Sequence, residues 1–255
     1  MKTILICILA GLGAGFGTGF AGMSAAAVIS PMLITFLGMD PYLAVGIALA
    51  SDVLASAASA ITYGRNKNLD IRNGLIMMAA VLGFTTVGSF VASLVPKTAM
   101  GNFSVFMTML LGVKFIVKPS VEPRKGSETA TARQKAVRSV LCGAMVGFIC
   151  GFIGAGGGMM MLLVLTSVLG YELKTAVGTS VFIMSATALT GAVSHFAIGG
   201  LPEALPLVLC VVSTLVFAQI ASLFANRAQP KTLNRVTGVI LLVLGALILA
   251  VNLFG

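Results

Sequence analysis

Charge is scarce in this chain: Asp, Glu, Lys and Arg make up 9% of its 255 residues, where a soluble domain carries roughly a quarter. With 58% of residues hydrophobic, that shortage excludes a water-soluble globular protein. Histidine occurs once, as His195, and the four cysteines (Cys7, Cys142, Cys150 and Cys210) sit in apolar stretches without CxxC or Cys/His spacing. No metal and no cofactor is therefore expected, and the cysteines read as small packing residues. No Ser/His/Asp set at believable spacing, no HExxH and no Walker motif occurs, so covalent catalysis, metalloprotease chemistry and direct ATP use find no support and the chain does not read as an enzyme. Acidic residues number 7 against 16 basic ones. The basic residues lie in short connections, with no aromatic or groove-reading motif beside them, which argues for membrane topology and against nucleic acid.

What the chain has in abundance is apolar length. Runs of 20 or more apolar residues recur from end to end, and each suffices to cross roughly 30 Å of hydrocarbon. Met1 and Lys2 ahead of the first run imitate a secretory signal. Cleavage near Ala10 to Ala14 would remove part of a duplicated region, so the run is read as retained.

The duplication has a fixed offset of 132 residues. GLGAGFGTGFAG at 11–22 falls on GAMVGFICGFIG at 143–154, and Leu37-Gly38 falls on Leu169-Gly170. Further on, Asp40 meets Glu172 and Ala44-Val45-Gly46 meets Ala176-Val177-Gly178. Each half then reads as one long apolar stretch and three shorter ones: 4–37, 42–63, 71–94 and 98–118, then 137–169, 174–197, 202–225 and 232–254. This divides the chain into a first repeat, 1–118, a polar linker, 119–136, and a second repeat, 137–255.

The first stretch of each half, about 33 residues, is too long for one ordinary crossing of about 20 residues. Two half-length helices meeting at a glycine break, entering and leaving on one side, are expected, followed by three full crossings. Three crossings per half invert the second repeat. In that arrangement 14 basic residues face the cytoplasm and only Lys2 and Lys97 the other side, as the positive-inside rule asks. A same-direction repeat of eight crossings would split them 11 to 5. The expected fold is an all-α polytopic membrane protein of two inverted-topology repeats, each a Gly-broken helical hairpin plus three transmembrane helices. Both termini are expected outside the cytoplasm and the linker inside it.

In such folds the substrate sits near the midplane, where half-helix N-termini offer unpaired amides that suit an anion. The candidate ligand groups are Gly22 and Ser24 in the first break and Gly154, Gly156, Gly157 and Gly158 in the second. Gly11, Gly15 and Gly19, with Gly143, Gly147 and Gly151, read instead as close-packing positions at GxxxG spacing. The AVGTS run adds Thr179 and Ser180 as preferred hydroxyl donors. Asp52, flanked by Ser51 and Ser56, is the one carboxylate deep within an apolar span; it is read either as a proton carrier or as a packing lock. His195 and Gln219 complete the candidate polar pocket. A Rossmann reading of the early glycines fails for want of an alternating strand.

The sequence resembles the sulfite exporter TauE/SafE family along nearly its full length, through GFIGAGGG, LGYELKTAVGTS and the polar helix that follows. The first half departs, with GMSAAAVISP and AVGIALA at the matching places. The resemblance implies a two-fold repeated bacterial inner-membrane protein moving sulfite, sulfoacetate or related organosulfonates outward, with proton coupling. The expected function is thus a secondary exporter of a small sulfur-containing anion, its partners being that anion and the lipid bilayer. The alternatives are a passive anion channel and a non-transporting membrane scaffold.

Overall fold

The computed structural model describes residues 1–92, 113, 116–117, 132–153 and 157–254. They form helices α1 (Lys2–Ala21), α2 (Ala26–Leu37), α3 (Pro41–Arg65), α4 (Ile71–Ala92), α5 (Ala132–Ile153), α6 (Gly157–Ser167), α7 (Leu173–Gly199), α8 (Ala204–Arg227) and α9 (Pro230–Phe254), with no strand among the described residues. Most of the apolar segment 98–118 and most of the linker lie outside them; residues 132–136 of the linker already belong to α5. The chain is a multi-pass membrane protein: α1, α3, α7 and α8 are each long and apolar enough to cross. Lipid-facing side chains follow helical spacing, as on α8, where Val208, Val212, Val216 and Ile220 are exposed.

The elements recur at the offset read from the sequence. Adding 132 to α1, α2, α3 and α4 reaches α5, α6, α7 and α8 with bounds that differ by three residues at most. Even the turn after the short helix repeats. Gly38 and Gly170 both take the left-handed conformation, with φ of 62° and 72°, which glycine adopts without a side-chain clash. The backbone bond Met39 N–H to Leu33 C=O returns as Tyr171 N–H to Leu165 C=O, each reaching back six residues across the left-handed glycine to close the helix end.

One expectation is corrected. The first stretch does break, at residues 22–25, but its arms are unequal: α1 has 20 residues and α2 has 12, or roughly 30 Å against 18 Å. Gly11, Gly15 and Gly19 do not interrupt α1. They lie along its contact with α8, where Gly15 faces Phe217 and Ala218 and Gly19 faces Ala221. An apolar helix gains little in lipid from burying its apolar face, so close backbone approach over small residues does the packing. Gly143 and Gly147 of α5 do the same against Met77, Ala80 and Val81 of α4. The opening helix of the first half therefore leans on α8 of the second, and the opening helix of the second half on α4 of the first.

The centre is α3 against α7. Gly46 faces His195 and Phe196, Gly191 faces Leu49, and Gly178 faces Tyr63, so low numbers on one helix meet high numbers on the other and the two run antiparallel. The contact is reciprocal, because Tyr63 and His195 occupy the same place in the two repeats and each covers the glycine of the other. At one end, Asn68 Nδ2 donates to Asn226 Oδ1 (2.7 Å) and Lys174 Nζ to the Asn226 carbonyl (2.9 Å). The α3–α4, α6–α7 and α8–α9 connections thus share that end, with Arg65, Lys67, Arg72, Lys174, Arg227 and Lys231.

Candidate functional site

A helix broken inside a membrane leaves carbonyls and amides with no water to satisfy them. At the first break other groups supply the partners. Gly22, in the left-handed conformation with φ of 59°, donates to Thr18 C=O (2.9 Å), and Met23 N–H donates to Gly17 C=O (3.2 Å). The next carbonyls are reached from elsewhere: Gly19 by the Tyr63 hydroxyl of α3 (2.8 Å), Phe20 by Thr237 Oγ1 of α9 (3.3 Å), Gly22 by Ser180 Oγ of α7 (2.9 Å) and Met23 by Thr18 Oγ1 (2.9 Å). Four helices converge on one irregular turn, and that is how the break is tolerated.

Its amide side points at Asp52. Ser24 Oγ accepts from Ala26 N–H (3.3 Å) just ahead of α2 and donates to Asp52 Oδ2 (2.8 Å), while Ser56 Oγ donates to Oδ1 (2.7 Å). The Ala25 amide also reaches the carboxyl group. Asp52 is fully buried, so the positive end of α2 and two hydroxyls surround a carboxyl group that belongs to the chain itself.

The other sequence candidates fall as follows. Ser51 donates to Ile47 C=O of its own helix (2.8 Å) and does not join the Asp52 group. Ser180, fully buried, serves the first break. Thr179 Oγ1 accepts from Asp70 N–H at the α3–α4 connection (3.2 Å). These two hydroxyls, expected as donors to the anion, thus bond backbone groups of the first half. Gln219 pairs with Thr62 (3.0 Å), and His195 Nδ1 lies 2.9 Å from Gly191 C=O in its own helix. Gly157 and Gly158 open α6, whereas Gly154 and Gly156 lie outside the described residues.

Sequence reasoning missed Tyr63, Thr237 and Ser59. Asp52, Ser56, Ser59 and Tyr63 are spaced i, i+4, i+7 and i+11, one face of a helix, so that stripe was open to reading. Thr237 carried no such mark. Also missed was the cluster at the shared end, where Tyr171 donates to Asp70 Oδ2 (2.8 Å) and Asn73 Nδ2 to the same oxygen (2.7 Å). Burial, with the Asp70 carboxylate beside it, pushes the Tyr171 phenol upward. No group of three or more His, Cys, Asp or Glu able to hold a metal occurs among the described residues.

The chain is similar to the probable membrane transporter protein YunE of Bacillus subtilis (strain 168), at 24% identity over 99% of this chain and 99% of that one. It is also similar to the probable membrane transporter protein YdhB of the same organism, at 27% identity over 91% and 92%. A third relative is the probable membrane transporter protein MJ0441 of Methanocaldococcus jannaschii, at 25% identity over 72% and 67%. Residues 7–248 match the family model described as sulfite exporter TauE/SafE. With that match spanning nearly the whole chain, the protein belongs to the TauE/SafE family of membrane transporters.

Proposed function

We propose that this protein is a secondary transporter exporting a small sulfur-containing anion, of the class of sulfite, sulfoacetate or related organosulfonates, from the bacterial cytoplasm, with Asp52 carrying a proton. The observation that carries this reading is a fully buried carboxyl group, held by Ser24 and Ser56 at the N-terminus of a half-length helix. An ionisable group kept inside a membrane at that cost is a functional candidate by default. The substrate class comes from the family.

The two breaks then differ in task. In the first, the amides and Ser24 are engaged by Asp52. In the second, the repeat counterparts of Asp52 and Ser24 are Met184 and Gly156, so the N-terminus of α6 at Gly157 and Gly158 is assigned to the incoming anion. Met184 lies 3.7 Å from Ser180 Oγ, whose hydrogen goes to Gly22; the linkage Gly22–Ser180–Met184 therefore runs from the proton group's break into α7. An inverted arrangement of the repeats is supported by the antiparallel α3–α7 contact and by the reciprocal Gly46–His195 and Gly178–Tyr63 contacts. The basic residues gathered at the α3–α4, α6–α7 and α8–α9 end assign that end to the cytoplasm, and both termini to the periplasm.

The test is transport in proteoliposomes under an imposed pH gradient, with sulfite and small sulfonates as substrates. The native protein is expected to accumulate substrate against its gradient, and Asp52→Asn to lose that pH dependence. An unchanged pH response in the variant sinks the proton role. Flux that neither saturates nor shows counterflow would assign a channel, and failure of every anion to bind would assign a scaffold.

A further inference from the structure

Many helical hydroxyls among the described residues bond to the carbonyl a turn earlier, as do Ser51, Thr85, Thr166, Thr190 and Ser194, the usual disposition for Ser and Thr in apolar helices. Ser59 does not. It is fully buried on α3, and its hydroxyl has no hydrogen-bond partner among the described residues. A buried hydroxyl without a partner costs about 1–3 kcal/mol, so it calls for an explanation in function or in bound water.

Its position supplies one. Ser59 stands between Ser56, which is bonded to Asp52, and Thr62, which is bonded to Gln219. One turn beyond Thr62 is Asn66, exposed in the α3–α4 connection, whose side-chain amide donates to the Thr62 carbonyl (2.8 Å). Neighbours at these spacings sit about 5–6 Å apart at Cβ, a gap one water molecule spans between hydroxyls. In the other direction the same face of α3 carries Ala48, Val45 and Ala44, all but Val45 buried. That face of α3 is thus polar from Asp52 toward one end of the helix and apolar toward the other.

We propose that Asp52 exchanges its proton with the end bearing Arg65, Lys67 and Arg72 through a relay of hydroxyls along α3, Ser56 to Ser59 to Thr62, with bound water bridging at Ser59 and water at the exposed Asn66 end taking up the proton. The relay rests on the proton-carrying role of Asp52 given above. Each hydroxyl or water takes a proton on one side and releases its own on the other, so no charge accumulates and no co-reactant is needed. The groups that reach the Asp52 carboxyl are the Ser24 and Ser56 hydroxyls and the Ala25 amide. The basic or titratable nitrogens on the helices packed against α3, which are Lys2, Lys174, His195 and Arg227, stand at the ends of their helices.

The experiment is infrared spectroscopy of the purified full-length protein in lipid, following hydrogen–deuterium exchange of the carboxyl band that vanishes in Asp52→Asn. Ser59→Ala is expected to slow that exchange by about tenfold, equal to about 1.4 kcal/mol on the barrier, and Ser59→Thr to restore it. Ser30→Ala, which removes another buried unpartnered hydroxyl lying off the relay, should leave the rate unchanged. Removing an unsatisfied hydroxyl does not destabilise a fold, so a structural role alone predicts Ser59→Ala as stable as the native protein or more so, with native exchange. That exchange result would overturn the relay while leaving Asp52 as proton carrier. The absence of any Asp52 carboxyl band, protonated at no pH at which the protein stays folded, would overturn both readings.

Discussion

The strongest demand on the first break is placed on Tyr63, and Tyr63→Phe isolates it. The substitution keeps the ring, so the packing of Gly178 against the side chain survives, and it removes only the hydroxyl that reaches Gly19 C=O at 2.8 Å. In a soluble core the orphaned carbonyl would cost about 1–3 kcal/mol. Hydrogen bonds between membrane helices average nearer 0.6 kcal/mol, since the unfolded reference in lipid also finds partners. Gly19 falls between these limits. Its helical partner would be Met23 N–H, but that donor is committed to Gly17 C=O, so no substitute is at hand and a loss of about 1.5 kcal/mol is expected, roughly tenfold in the folding equilibrium. Reversible unfolding in mixed micelles of increasing dodecyl sulfate content, read by circular dichroism because the chain has no tryptophan, measures it. A difference within about 0.3 kcal/mol, the usual error of such comparisons, would mean that water satisfies the break and that the convergence of four helices there is incidental.

Glycines offer a second contrast in the same assay. A Cβ at Gly15 would sit 2.7 Å from Phe217 Cβ and 2.8 Å from backbone atoms of α8, so Gly15→Ala should destabilise by about 1–3 kcal/mol. Gly83→Ala, with open space around it on α4, should be neutral or stabilise by up to about 1 kcal/mol. Topology is checked by labelling Asn66→Cys and Leu201→Cys with a membrane-impermeant thiol reagent: the two should react from opposite faces, and reaction from the same face would refute the antiparallel reading of α3 and α7. Asp52→Asn, finally, should abolish pH-gradient-driven transport without preventing assembly, measured as substrate accumulation and as monodisperse purified protein.

The large features were legible because they are properties of sequence alone. Apolar length gave the spans, and the offset that aligned Leu37-Gly38 with Leu169-Gly170 also aligned the turns that end α2 and α6. Asp52 with Ser56 was readable as a polar group, since carboxylates are rare enough in such a chain to stand out, but Ser51 was grouped with it where Ser24, read as an anion ligand, supplies the bond. The break at Gly22 and the packing role of Gly11, Gly15 and Gly19 were both readable, yet the arms were expected at half length, although a break after residue 21 already leaves 20 residues on one side and 12 on the other. Thr179 and Ser180 show a limit at longer range. Their hydroxyls were evident, but which break they serve depends on how the halves cross, and periodicity within one helix carries no information about that. Tyr63 and Thr237 act on carbonyls that exist as unfilled acceptors only once α1 has stopped, so nothing local announces them.

The glycine face of α1 has a counterpart that does not exist when α1 is made. Gly11 meets Ser213, about 200 residues later in the chain, and at a synthesis rate of 5–20 residues per second the wait is on the order of 10–40 s. For that interval the first helix holds a bare ridge of backbone in the bilayer. The insertion machinery, or a passing helix from another protein, is its company until α8 arrives.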